Sequence, residues 1–229
     1  MAGSIRRCRE TIGDIDFLVS AKAKDAPGII EDFVTMPGII NVSAKGETKA
    51  SVVLKGGVQA DLRVVADDQF AFALNYFTGS KEHNIAMRAR ALRLKNLSLN
   101  EYGFSPAKEK EKSAKELGST IKCKTEEEIY RALELDYVPP ELREDMGEIA
   151  AAEAGTLPKL VELENLRGTF HNHSTWSDGL ESIEAMAHAA LALGLEYFGI
   201  ADHSKSEFQA HGLDEKRVRQ QAEEVKRLN

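Results

Sequence analysis

The chain has 229 residues, 42% of them hydrophobic, and a formal net charge of −7. That length allows one large or two modest domains with ample core, and the apolar share is that of an ordinary globular protein rather than a disordered one. No apolar run approaches the ~20 residues of a bilayer-crossing helix, no signal-peptide stretch opens the chain, and Cys8 and Cys123 show neither metal-ligand spacing nor a disulfide framework, so a cytoplasmic protein without a membrane partner is expected.

Up to about residue 65 the chain reads mainly as strands. "DIDFLVSA" is a short strand, and "GIIEDFVTM" a helical piece stopped by Pro37-Gly38. "SVVL" and "VQADLRVV" are two strands joined by a turn at Gly56-Gly57. In the second, Val58, Ala60, Leu62 and Val64 alternate with Gln59, Asp61 and Arg63, which predicts one buried and one wet face. Residues 69–102 read as helices: "QFAFALNYF", a turn at Thr78-Gly79-Ser80, then a basic helix. Between Lys81 and Lys95 the cations Lys81, Arg88, Arg90, Arg93 and Lys95 face only Glu82. The acidic total argues against a nucleic-acid partner. A local basic stripe argues for one, because phosphate contacts are local, although a solvated helix face carries the same charges.

A third helix opens at Thr125 with Glu128 three residues on, a capping box, and is expected to end at Pro139-Pro140. The acidic, alanine-rich stretch up to Gly168 reads as a linker with helical patches. "RGTFHNHS" is then a strand and "EYFGIADHS" another. Between them "ESIEAMAHAALALG" is a helix with Ile183, Met186, Ala187, Ala190 and Leu191 on one face and Gly194 as its stop. A strand–helix–strand unit of this length is a parallel crossover, the opening of an α/β layer or barrel.

Two clusters carry chemistry. Asp14 and Asp16, at i and i+2 on a strand, project to one face, and Asp61 lies on the wet face of another strand. Three aspartates on adjacent strands suit a two-metal phosphoryl-transfer site with ions ~3.5–4 Å apart. A surface strand carries an Asp-x-Asp pair equally well. The flank adds weight: Gly3-Ser4 before Arg6 and Arg7 supplies amides, a hydroxyl and guanidinium forks suited to phosphate oxygens. Gly13 lets a ligand approach the backbone closely.

The ordered run "GSIRR…GDID…ADLRVV…YFTGSKEHNIAMR…LNEYG" closely resembles the palm and thumb of the family X DNA polymerases, from Gly3 to about Tyr137. The resemblance implies an α/β protein: an α+β nucleotidyltransferase palm over 1–68 and a helical thumb over 69–138. It implies that Asp14, Asp16 and Asp61 are catalytic and hold two Mg²⁺ (or Mn²⁺) ions, with Asp61 near the primer 3′-hydroxyl. Ser4, Arg7 and Gly13 would contact the triphosphate of an incoming dNTP. Tyr76 and Phe77, with the Gly79 turn, would line its sugar pocket. Asn84 and Arg88, four apart on one helix face, would read the minor-groove side of the nascent base pair, with Arg88 on the DNA. Gln59 stands where animal members carry arginine.

The second cluster is His171 and His173 on a strand, Asp178 after it, and Asp202-His203 at the next strand end. Imidazole with carboxylate suits Zn²⁺, Mn²⁺ or Fe²⁺ better than Mg²⁺, and ends of parallel strands are where α/β barrels place their chemistry. A lone His-x-His is also a common surface pair. The pattern resembles the polymerase-and-histidinol-phosphatase (PHP) domain, a metal-dependent phosphoesterase carried by bacterial and archaeal family X members. That resemblance implies the start of a β/α barrel over 168–229, behind a linker over 139–167. It also implies that His171, His173, Asp178 and His203 are metal ligands serving a 3′–5′ exonuclease. His83, His188 and His211 match no ligand position and read as surface or packing residues.

The resemblance lacks the domains that precede the Gly-Ser motif in the family and the later barrel strands. The chain therefore reads as an internal fragment of a polymerase that fills short gaps in base-excision repair, a monomer in its full-length form. Weak or no activity is expected of the piece alone. Three other readings compete: another nucleotidyltransferase, a stand-alone phosphoesterase, and a DNA-binding piece without catalysis.

Overall fold

The computed structural model describes residues 1–107 and 118–229. The chain divides into two compact units of mixed α/β architecture, Met1–Pro158 and Lys159–Asn229.

The first unit opens with a one-turn helix, α1 (Gly3–Arg6), and a four-stranded sheet: β1 (Asp14–Ser20), β2 (Ile39–Lys45), β3 (Lys49–Leu54) and β4 (Gln59–Val65). The spatial order is β1-β4-β3-β2, with β1 parallel to β4 and the other pairs antiparallel. Helix α2 (Ala26–Val34) crosses between β1 and β2, with Pro27 in its first turn, where a missing N–H costs nothing. Its Ala26 and Ile30 pack on Ala50, Leu62 and Val64, with Phe17, Val19 and Phe33 at the margin. Each large aliphatic side chain buried there contributes about 1.5–3 kcal/mol. The alternation expected along β4 is present for Ala60, Leu62 and Val64, whereas Val58 precedes the strand and is exposed. Strand β2 is an addition to the sequence reading. It is an edge strand whose residues are nearly all exposed, so it has no core-facing signature to read.

Helices α3 (Phe70–Thr78) and α4 (Lys81–Lys95) follow as expected. A hairpin of β5 (Leu97–Asn100) and β6 (Gly103–Pro106) then replaces a continuing helical region, its turn tied by Asn100 Oδ1 accepting from the Tyr102 amide at 3.0 Å. Helix α5 (Glu126–Ala132) starts where expected but without the capping box. The Thr125 side chain makes no cap bond, and Glu128 instead accepts from the Lys124 amide at 2.6 Å. The helix stops at Ala132, well before the prolines, because Glu134 turns left-handed at φ 58°. Arg90 holds the exposed carbonyls of that end, donating to Leu133 O at 2.7 Å and Glu134 O at 3.2 Å.

The stretch after the prolines does not run free. Helix α6 (Glu148–Ala154) buries Ala152, and Leu142, Ile149 and Leu157 pack on the core of Phe72, Met87, Phe104, Ile129, Tyr130 and Leu133. An alanine-rich helix can lie this close because its side chains are small; Glu153 stays on its outer face, while Glu148 is buried.

The second unit contains β7 (Gly168–Asn172) and β8 (Tyr197–Ile200), parallel and bridged by α7 (Ile183–Ala192), as the crossover predicts. Gly194, at φ 75°, ends α7, while Leu191 points to solvent rather than inward. A further amphipathic helix, α8 (Glu215–Leu228), closes the described chain with Asp214 accepting from the Arg217 amide as its N-cap.

Candidate active sites

In the first unit the parallel register of β1 and β4 sets Asp16 directly opposite Asp61 and Asp14 opposite Gln59. The three carboxylates therefore share the sheet face opposite α2. Burial, then the negative charges of Asp14 and Asp61, push the Asp16 carboxyl above its usual range, and Arg63 and Arg7 oppose them. Gln59 Nε2 lies 3.3 Å from both Asp61 oxygens, donating across two positions of one strand.

Helix α1 is pressed against this face. The Ala2 amide donates to Asp16 O at 2.8 Å, and a Cβ on Gly3 would stand 2.2 Å from Asp16 Oδ2. With φ at +63°, Gly3 is required twice over, by conformation and by space. The Ser4 hydroxyl is buried and has no hydrogen-bond partner among the described residues, an arrangement that costs free energy unless a ligand meets it. Gly13 has open space around its Cα.

The arginines divide. Arg6, expected near phosphate, instead forks onto Glu126 and donates to the Thr78 hydroxyl at 2.8 Å. Glu126 draws it away because Glu126 is nearly buried and already faces the wholly buried Arg143. Arg7 stays nearer the aspartates, acting on Asp16 while donating Nε to Glu144 at 2.7 Å and Nη1 to Thr78 O at 2.8 Å.

Tyr76 and Phe77 meet edge to face with centroids 5.2 Å apart, and the Arg63 guanidinium lies 4.5 Å over the Phe77 ring. Asn84 Nδ2 donates to Tyr76 O at 2.7 Å and Gly79 O at 3.1 Å, so the amide nitrogen holds the turn and its oxygen remains available. Gly79 is needed there: a Cβ would come within 2.8 Å of the His83 ring. Arg88 is half-buried one turn beyond Asn84. The basic stripe is thinner than expected, since Arg90 is buried against the end of α5 and Glu153, and Lys95 pairs with Glu134. His83 is a core residue, its Nδ1 2.6 Å from Glu148 and its Nε2 3.0 Å from the Tyr130 hydroxyl.

In the second unit, His173, Asp178 and His203 bring one ligand atom each within 4.8 Å of one another, the one such group of three among the described residues. His173 Nδ1 lies 2.9 Å from Asp178 Oδ1, and His203 Nε2 lies 3.5 Å from its Oδ2. Burial raises the Asp178 carboxyl, but the hydrogen bonds of His173 and Ser177 outweigh it and hold the group below its usual range. His171 stands outside this close set, its ring stacked on His173 with centroids 5.0 Å apart. Asp202, passed over in the sequence reading as a ligand's neighbour, receives hydrogen bonds from Ser174, Ser177 and Gln221.

Residues 73–144 match the DNA polymerase beta thumb family. Over its whole length the chain is 38% identical to the DNA polymerase/3′-5′ exonuclease PolX of Bacillus subtilis, of which it spans 38%. Rat DNA polymerase lambda is 30% identical across 62% of this chain and 28% of its own length. Among solved structures, polymerase beta of Leishmania infantum, in a ternary P/T complex, shares the fold with a TM-score of 0.53 and 24% identity, over 62% of this chain and 66% of that one. The chain thus spans well under half the length of the curated relatives it matches. No helix among the described residues is long and apolar enough to cross a membrane.

Proposed function

We propose, for a chain that resembles the polymerase beta thumb over residues 73–144 and PolX across 38% of that protein's length, DNA-directed nucleotidyl transfer by the first unit, in the service of short-gap filling. The observation that carries this reading is the parallel register that sets Asp16 opposite Asp61, with the unpartnered Ser4 hydroxyl on the helix pressed against them.

The aspartates fit divalent cations. A carboxyl whose proton affinity is raised by burial and then by two neighbouring negative charges is relieved when positive charge enters the group. Bound Mg²⁺ or Mn²⁺ would supply the acidity that activates a primer 3′-hydroxyl and would neutralise phosphate charge. Asp14, Asp16 and Asp61 would hold those ions, and Asp61, on β4, would face the primer end. The Ser4 hydroxyl and the Arg7 guanidinium would donate to triphosphate oxygens, and the open Cα of Gly13 leaves room for them. Tyr76, Phe77 and the Gly79 turn would wall the sugar, which their anchoring by Asn84 supports. The free Asn84 oxygen and Arg88 would address the nascent base pair and DNA.

For the second unit we infer a PHP-type metal centre cleaving phosphoesters at 3′ ends. Its two imidazoles and one carboxylate fit Mn²⁺, Zn²⁺ or Fe²⁺, with His171 beside them as a further donor.

One-nucleotide gap filling, for which at most weak incorporation is expected of the 229-residue chain, tests the first assignment when that chain is compared with its Asp61→Ala and His203→Ala variants. Incorporation that disappears with Asp61→Ala and persists with His203→Ala is expected. Equal incorporation with and without Asp61 refutes the first.

A further inference from the structure

Asp202 lies just past the end of β8, one residue before His203. Its Oδ1 accepts from the Ser174 amide at 2.7 Å and the Ser177 hydroxyl at 2.5 Å. Its Oδ2 accepts from the Ser174 hydroxyl and from Gln221 Nε2, both at 2.5 Å. Four donors saturate a carboxylate, which has about four lone-pair sites. Asp202 is therefore spoken for and is not itself a ligand.

What its partners have in common is position. Ser174 follows His173, Ser177 precedes Asp178, and Asp202 itself precedes His203. One carboxylate thus grips the chain neighbours of two clustered donors and is itself the chain neighbour of the third. Ser174 is fully buried and Ser177 nearly so, so the grip is shielded from competing water. Gln221 extends it to α8, and α8 holds the same loop again: Glu224 accepts from Trp176 Nε1 at 2.7 Å, and Arg217 donates to Trp176 O. Within the loop the Ser177 and Gly179 amides donate to Ser174 O at 3.0 and 2.9 Å, so the loop's own turn is centred on the residue that Asp202 grips.

We propose that Asp202 is the positioning residue of the second unit's metal centre, holding His173, Asp178 and His203 at ligand spacing before any cation arrives, with α8 as its backstop through Gln221. The inference rests on the metal-centre reading given above. Because the donors are pre-arranged, the cation meets them without first ordering a loop, and losing such an outer partner typically costs about 10–100-fold in metal affinity.

Mn²⁺ titration followed by calorimetry and by electron paramagnetic resonance tests this. The chain carries Asp14→Ala and Asp16→Ala throughout, so that the first unit's carboxylates do not report. His203→Ala should abolish tight binding. Asp202→Asn should weaken it about 10–100-fold, and Ser177→Ala and Gln221→Ala should weaken it less, each with an unchanged near-ultraviolet dichroism spectrum at 25 °C. A residue that merely supported the fold would lower the melting temperature of the metal-free chain and leave the affinity of the folded protein alone. A folded Asp202→Asn chain binding Mn²⁺ as tightly as its parent, while His203→Ala does not, overturns the role of Asp202 and keeps the centre. Failure of the parent itself to bind overturns both. Should Asp202→Asn not fold, unaltered affinity in both Ser177→Ala and Gln221→Ala overturns the proposal.

Discussion

Replacing Glu126 with glutamine probes how the first unit holds helix α1 to helix α5. Glu126 is 5% exposed and takes both arms of Arg6 and one arm of Arg143, a residue with no exposure at all. Arg143 is otherwise held by the Val138 carbonyl at 2.9 Å and by the faces of Tyr130 and Tyr137, with centroids 5.2 and 5.3 Å away. Burial pushes the Glu126 carboxyl up, yet the two guanidiniums outweigh it and hold it below its usual range. Glutamine keeps the shape and one acceptor but leaves a buried cation without its anion. Breaking such a pair costs about 3–5 kcal/mol, and because Arg6 retains access to water the lower end applies. For a unit of this size each kcal/mol is worth roughly 2–4 °C, so a fall of about 6–12 °C in the melting temperature is expected. Thermal melts followed by far-ultraviolet dichroism measure it, and urea melts give the free energy. The pairing of Glu126→Gln with Arg143→Met should cost less than the sum of the two, by about 1 kcal/mol or more. A Glu126→Gln chain within about 1 kcal/mol of wild type would refute the argument that the orphaned charge dominates.

Burial lowers the proton affinity of His83, and the hydrogen bond from His83 holds Glu148 ionised against its own burial. Both folded-state values lie below the unfolded ones, so the unfolded chain binds more protons. Stability from His83 is complete above its ordinary 6.5 and declines as pH falls toward the folded value, and Glu148 adds a second decline below 4.5. Urea midpoints between pH 8 and 4 should show both, and His83→Phe should remove the upper one. Gly3→Ala places a methyl 2.2 Å from Asp16 Oδ2 at a left-handed backbone position. It should weaken Mn²⁺-dependent binding of a fluorescent dNTP at least about tenfold, at roughly 1–2 kcal/mol of conformational strain; unchanged nucleotide affinity would contradict the contact. Arg88→Ala or Arg93→Ala should reduce the salt dependence of DNA binding by about one unit of slope, whereas Arg90→Met should leave the slope alone and destabilise the chain by about 1–3 kcal/mol, since Arg90 serves backbone carbonyls.

Local pattern was enough to read β1, α2, β4, α3, α4 and the β7–α7–β8 crossover, because each carries a hydrophobic period, a turn residue or both. It was enough, too, to place Asp14 and Asp16 on one face, whereas His171, His173, Asp178 and His203 were named through the PHP resemblance, and folding brings only the last three within 4.8 Å of one another. Edge strand β2 and the β5–β6 hairpin escaped for want of a buried face or a long run. What only tertiary structure decided is which charges are free. Arg6, Arg7 and Arg90 look in sequence like Arg88, yet all three take partners far along the chain: Glu126, Glu144 and the carbonyls after α5. The linker-like stretch became a packed helix because Glu148 meets His83 in the core. Asp202 became a hub because folding brings Ser174, Ser177 and Gln221 to its two oxygens. A residue's chemistry is written in its type, but whether that chemistry is spent inside the fold or left for a ligand depends on neighbours distant in sequence, and those are set when the chain closes.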